Sequence, residues 1–242
     1  MTKIIILVLF VILGTSVFVN KNKNVDGEKI NLEVEKVVEK EIILPETIEW
    51  SVPFTPQAPT GNWDDVKQGN GCEEASILMV YSWIKGLEIN PNEAGEEIEK
   101  ISDFSLKLLG HFHDISNEDT IKLMKEYFKY DKVSLQTEIS LEIIKNQLAQ
   151  EKILIVAING DKLNNPNYQI PKPANHKIVI VGYDDTTQEF ITNDPGTSKG
   201  KGFRYKYEQL FDSITDYPTG YRESFDQEIK SMIVIDKNET NM

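Results

Sequence analysis

Apolar positions recur at helical spacing through the first half of the chain and gather into unbroken aliphatic runs in the second. Ala75, Leu78, Met79 and Ile84 fall on one helical face between Cys72 and Lys85, and Gly86 supplies the stop. Pro91 suits the first turn of a second helix, which runs to Leu109 and Gly110. Ser116-Asn117-Glu118-Asp119 reads as a capping box for a third helix through Phe128, and Ser140 opens a fourth through Gln150. After that the period changes. Lys152 to Ile158 and Lys177 to Tyr183 are continuous aliphatic stretches of strand length, the pattern of strands buried on both faces. Glu189 to Asn193 follows the second across the turn Asp184-Asp185-Thr186-Thr187, and Phe203 to Tyr207 and Met232 to Ile235 complete five predicted strands. Helices first and sheet afterwards predicts an α+β fold, with N-terminal helices packed on an antiparallel sheet.

Upstream the pattern is different. Lys3 precedes an uncharged apolar run from Ile4 to Val19, the charged start and apolar stretch of a signal peptide; with Val17-Phe18-Val19 prolonging the run, residues 1–20 read either as a cleaved signal or as an N-terminal membrane anchor. Residues 21–50 are polar and charge-mixed and read as a tether, with a minor strand around Leu32 to Val38. The folded domain is expected over 51–242. Its first stretch is loop, because Pro53, Pro56, Pro59 and Gly61 exclude a helix there.

Composition narrows the partners. The chain has 26 basic and 39 acidic residues, a net charge of −13, which disfavours nucleic acid and anionic membranes as main partners. Contact with a membrane is expected only through the N-terminal segment. The 40% hydrophobic and 27% charged fractions are those of an ordinary globular domain. One cysteine in 242 residues excludes an internal disulfide, although the chain reads as exported.

That cysteine, Cys72, stands where a turn glycine runs into the first helix. Unpaired amide hydrogens and the positive end of the helix dipole favour a thiolate there, while the alternative is a small buried hydrophobe. Glu73 and Glu74 suit the dipole but oppose thiol ionisation. A cysteine nucleophile needs a base and a group to orient the base. His176 lies at the start of the second aliphatic strand, and the next strand ends in Asn193-Asp194-Pro195-Gly196. Adjacent antiparallel strands place the start of one beside the end of the other, so His176 and Asp194 are expected as neighbours. Separately they also read as a surface histidine and a turn aspartate.

Together, Gln57-Ala58-Pro59 with Gly61-Asn62-Trp63, Gly71-Cys72-Glu73-Glu74-Ala75-Ser76, His176 with its strand to Gly182-Tyr183-Asp184, and Asn193-Asp194-Pro195-Gly196 resemble the papain-like cysteine peptidases related to bacteriocin-processing, double-glycine-leader peptidases. The resemblance spans about residues 50 to 236. It implies a papain-like fold, with Cys72 as nucleophile, His176 as base and then acid, and Asp194 as orienting residue. It also implies a glutamine as oxyanion donor. Gln57, in its Pro-Gln-Ala-Pro setting, is favoured over Gln68, which lies four residues before Cys72 and reads as a turn residue. Relatives often carry Gly-Pro after the cysteine, where this chain has Glu73-Glu74, and the leader-processing members are fused to a transporter that has no counterpart here.

His111 and His113 without further ligands read as a loop rather than a metal site. The proline-rich stretch from Asn165 to Pro173 is expected on the rim of a cleft; Trp50 and Trp83 are expected in the core, and Trp63 in the core or lining the cleft. The expected function is extracytoplasmic hydrolysis of amide bonds in a peptide or cell-wall peptide by a monomeric cysteine peptidase, without cofactor or metal. The alternatives are an acyl or amide transferase on the same triad and an inactive cell-wall or peptide-binding module.

Overall fold

An unbroken aliphatic strand is stable only where both of its faces are covered, and a computed structural model, describing residues 44–221, 223, 227 and 229–237, shows both covered. Its elements, in chain order, are β1 (Thr47–Glu49), α1 (Cys72–Lys85), α2 (Pro91–Leu109), α3 (Asn117–Tyr127), β2 (Val133–Gln136), α4 (Leu141–Ala149), β3 (Lys152–Asn159), α5 (Gly160–Leu163), β4 (Asn175–Asp184), β5 (Glu189–Asn193), β6 (Phe203–Lys206), α6 (Tyr207–Ser213) and β7 (Met232–Asp236). The strands form one antiparallel sheet in the order β2-β7-β3-β4-β5-β6, with β1 paired to the end of β4.

Side chains alternate across this sheet. Ile153 and Ile155 of β3, Val179 and Val181 of β4 and Ile233 and Ile235 of β7 pack with Ile77, Met79, Val80, Ile98, Ile101, Leu123 and Met124 of α1, α2 and α3. Leu154, Val156 and Ile158, with Ile178 and Ile180, pack on the other side with Ile144, Leu148, Leu163 and Leu210 of α4, α5 and α6. Truncating one of these fully buried isoleucines to alanine would cost about 2–5 kcal/mol.

Helix ends follow the chemistry of their first and last residues. The Asn90 side chain accepts from the backbone of Asn92 and Glu93, and Ser140 accepts from Ile143. Gly86 closes α1 at φ 65°, a left-handed conformation that an L side chain disfavours. Ser116 accepts from the Asp119 amide at 3.2 Å, but the reciprocal half of the box is absent: Thr219 accepts from the Ser116 amide and donates to the Asp119 carboxylate.

The structure differs from the expectations at several places. Residues 47–49, within the stretch read as tether, form β1, and the Trp50 amide donates to the Val181 carbonyl, so ordered structure begins before residue 51. Tyr207, expected to end a strand, begins α6, where it packs with its ring against Phe190. The short β2 and α5 add to the predicted set. The signal or anchor at 1–20 and the minor strand at Leu32 to Val38 lie outside the described residues. Among the described residues no helix is long and apolar enough to cross a membrane.

Candidate active site

The first residue of α1 is Cys72, and its amide is one of those that a helix leaves without an intrahelical acceptor. His176 is the second residue of β4 and Asp194 follows β5 directly. The pairing of these two strands, with Val179 opposite Asn193, carries both side chains to one end of the sheet. There His176 Nε2 and Asp194 Oδ1 are hydrogen-bonded at 2.8 Å. This bond occupies one ring nitrogen and leaves Nδ1 for another partner.

Asp194 is fully buried and its carboxylate is saturated with donors. Oδ1 also accepts from the Gly196 amide at 2.9 Å, and Oδ2 accepts from Tyr205 at 2.6 Å, Tyr168 at 2.7 Å and Asn165 at 3.1 Å. Burial alone pushes this carboxyl up, but the attraction of His176 and the hydrogen bonds of His176, Tyr205 and Tyr168 outweigh it, so its pKa lies below the ordinary aspartate value. The rings of Tyr168 and His176 meet edge to face at 5.5 Å. Gly196 lies against both of these rings: a Cβ there would be 2.9 Å from His176 Cε1 and from Tyr168, so any larger residue would force one of them to shift.

Cys72 and His176 line the same cavity, of about 370 Å³, together with Gln57, Trp63, Asp114, Tyr168 and Asn175. The rim expected from the Asn165 to Pro173 stretch is there, supplied by Gln169, Pro171, Lys172 and Pro173. Trp63 lines the cavity, whereas Trp50 and Trp83 belong to the core.

The two glutamines part company. Gln57 lines the cavity; its amide nitrogen donates one hydrogen to the Gly69 carbonyl at 2.6 Å, and its backbone is fixed to the Pro195 carbonyl beside Asp194. An amide nitrogen carries two hydrogens, so a second one remains. Gln68 is buried instead against α2, where it donates to Glu99 at 3.1 Å, and it is not a solvated turn residue.

Around the thiol, the balance between helix dipole and carboxylates falls to the carboxylates. Cys72 Sγ donates to Glu73 Oε2 at 3.0 Å. Glu73 is fully buried, and its other oxygen accepts from the Ile115 amide at 2.9 Å and the Tyr217 hydroxyl at 3.0 Å. Burial, then the charge of Glu73 and its hydrogen bond, push the thiol well above its ordinary value; the Lys177 backbone amide offsets only part of this. The surroundings of the thiol therefore oppose the thiolate that helix position alone favours.

Lys177 adds a cation where a core strand would carry an apolar residue. Its ammonium donates to Asn117 Oδ1 at 2.7 Å and lies 4.9 Å from the centre of the Tyr217 ring. Burial lowers its pKa, while Asp216, Glu73 and Cys72 push it upward without restoring it. Asp114 and Tyr205 carried no signal for the site in the sequence; Asn165 and Tyr168 lie in the stretch expected on the rim but were not legible as donors to Asp194, and Lys177, next to His176, was legible only as the start of a strand. His111 and His113, read as a loop, stack edge to face at 5.7 Å, with His113 Nδ1 3.2 Å from the Asp114 carboxylate.

Residues 50–227 match the Peptidase C39 like family. A crystal structure of a Bacillus anthracis protein assigned as a C39-like peptidase superposes with a TM-score of 0.52 at 15% identity, covering 81% of this chain and all of that one. Xylellain, a cysteine protease from Xylella fastidiosa, gives 0.44 at 15% identity over 80% of this chain and 86% of its own. The Carica candamarcensis cysteine protease CMS1MS2 gives 0.42 at 12% identity over 81% of this chain and all of its own. No curated protein matches the chain significantly. From its family match and its architecture, the chain belongs to the Peptidase C39 like family and is a cysteine peptidase of papain-like fold.

Proposed function

We propose that this peptidase works outside the cytoplasm, secreted or held at a membrane by its N-terminal segment, and cleaves peptide or cell-wall peptide amides with a Cys72, His176 and Asp194 triad. The observation that carries the triad is the 2.8 Å bond from His176 to Asp194 at the wall of the cavity that Cys72 also lines. Asp194 fixes the ring so that Nδ1 is the nitrogen that takes the thiol proton.

The reaction starts when the thiol leaves Glu73 and passes its proton to His176. The Cys72 thiolate attacks the amide carbonyl, and the new oxyanion is held by the Cys72 amide at the helix start and by the spare N–H of Gln57. His176 returns the proton to the leaving amine, the C–N bond breaks, and a thioester remains. Water, losing its proton to His176, attacks the thioester and frees the carboxylic acid and Cys72.

Labelling with iodoacetamide or an epoxide probe tests the triad. Cys72 is expected to label in the folded protein and to label far more slowly in His176→Ala; no labelling, or a rate indifferent to His176, would overturn it. Release of fragments from peptides and cell-wall material tests the substrate range. The uncharged run from Ile4 to Val19 after Lys3 supports the location, which fractionation of the producing cells tests: recovery from the cytosol alone would refute it.

A further inference from the structure

Asp114 faces the cleft but has no duty in the reaction above. It lines the cavity with Cys72 and His176, and its backbone is left-handed at φ 48°, a conformation that costs free energy and that aspartate tolerates better than most residues. The loop is fastened on both sides. The Asp114 carbonyl accepts from the Gly220 amide at 2.9 Å, and the next amide, Ile115, donates to Glu73 beside the nucleophile. A strained residue held from two directions presents its side chain in a fixed place.

The positive charges nearby are already engaged. Lys177 is buried on Asn117 and the Tyr217 ring, and Lys172, at the cavity rim, donates to Asn164. Burial, then repulsion from Glu73, raise the Asp114 pKa, and Asn175 and His113 offset only part of it. Asp114 Oδ2 has His113 Nδ1 at 3.2 Å, but among the described residues no lysine or arginine lies at ion-pair distance from it, and it lines a cavity into which a substrate must enter.

We infer that Asp114 is a specificity-determining residue that selects substrates with a positive charge one or two residues from the scissile bond. The inference rests on the peptidase reading of the cleft. The cation can be a lysine or arginine side chain or a free terminal amine, since a carboxylate attracts each in the same way.

Peptides that scan lysine against norleucine at each position flanking the cleaved bond, with the N-terminus free or acetylated, test this and separate the two sources. In the wild-type protein one lysine position, or the free amine, is expected to raise kcat/KM by about tenfold over its neutral counterpart, and high salt to reduce that ratio. In Asp114→Asn, which keeps the size and tolerance of positive φ, the ratio should fall to near one. Each ratio is internal to one protein, so a partly unfolded variant does not distort it. Cleavage with no preference for a cation, or a preference that survives in Asp114→Asn, overturns the inference and leaves the peptidase reading standing. Failure to cleave any peptide, with Cys72 also inert to iodoacetamide, removes the peptidase reading and the inference with it.

Discussion

Glu73 Oε2 accepts a hydrogen bond from the sulfur of the residue before it, Cys72, at 3.0 Å, the carboxylate buried behind the cavity that Cys72 lines. The carboxylate is not free to turn away, because the Ile115 amide and the Tyr217 hydroxyl hold its other oxygen. The Cys72 sulfur is thus held by a carboxylate that opposes its ionisation.

Replacing Glu73 by Gln keeps the acceptor oxygen and removes the charge. The Cys72 pKa should fall, since the charge of Glu73 is the largest cause of its rise after burial. Iodoacetamide labelling at pH 7 is expected to quicken by about three- to tenfold, one pKa unit giving roughly tenfold more thiolate of somewhat lower nucleophilicity. A pH profile of the labelling rate, shifted to lower pH in the variant, checks it.

Asp194 and the hydroxyls around it should separate by magnitude. Asp194→Asn removes the charge and the acceptor that set the His176 tautomer, and kcat is expected to fall by roughly 10²–10⁴. Tyr205→Phe removes one of several donors to Asp194 and should cost only about 3–10-fold, with kcat falling more than KM changes. Steady-state kinetics on a single cleaved peptide measures both; equal losses would show that Tyr205 does more than hold the carboxylate.

Gly196→Ala puts a methyl group 2.9 Å from the His176 ring and from Tyr168. The ring must move, and a displacement near 1 Å is worth about 10²-fold in rate. The fold should survive, because the new contact is confined to one wall of the cavity. Near-wild-type thermal unfolding with a large loss of kcat is the expected pair of results.

Two buried carboxyls should titrate stability with opposite sign. Asp194 has a lowered pKa, so its contribution is present above the unfolded value near 3.8 and is lost as pH falls through the folded one. Glu74 is fully buried, and burial and then the charge of Glu73 raise its pKa well above the ordinary 4.5; folding there binds a proton that the unfolded chain releases, so its cost grows as pH rises above about 4.5. Urea midpoints between pH 3 and 8 should show Glu74→Gln gaining on wild type with rising pH. A gain independent of pH would mean that the Glu74 carboxyl ionises normally in the fold.

What the chain made legible was whatever is encoded locally. The Ser116 and Ser140 caps, Gly86 and the unbroken runs at 152–158 and 177–183 each act on their own neighbours, so the helices and central strands follow from them. The meeting of His176 with Asp194 follows from one hairpin. β1 was not legible, because Thr47-Ile48-Glu49 has a single apolar residue and becomes a strand only when β4 offers an edge. Asp114 and Tyr217 were hidden for a related reason: the loops that bring them to Cys72 are ordered by Glu73 and Gly220, far apart in sequence.

The last strand lies between β2 and β3, not at an edge of the sheet. Its partners, Val133 to Gln136 and Lys152 to Ile155, precede it by some eighty to one hundred residues. A chain still lacking Met232 to Asp236 has a gap through the layer on which α3 rests, and closing so long a loop is slow compared with forming local helices. The cysteine is made early, yet the sheet that carries His176 is joined to β2 only by the final strand, so proteolytic activity is expected to appear only once the last residues of the domain have been made.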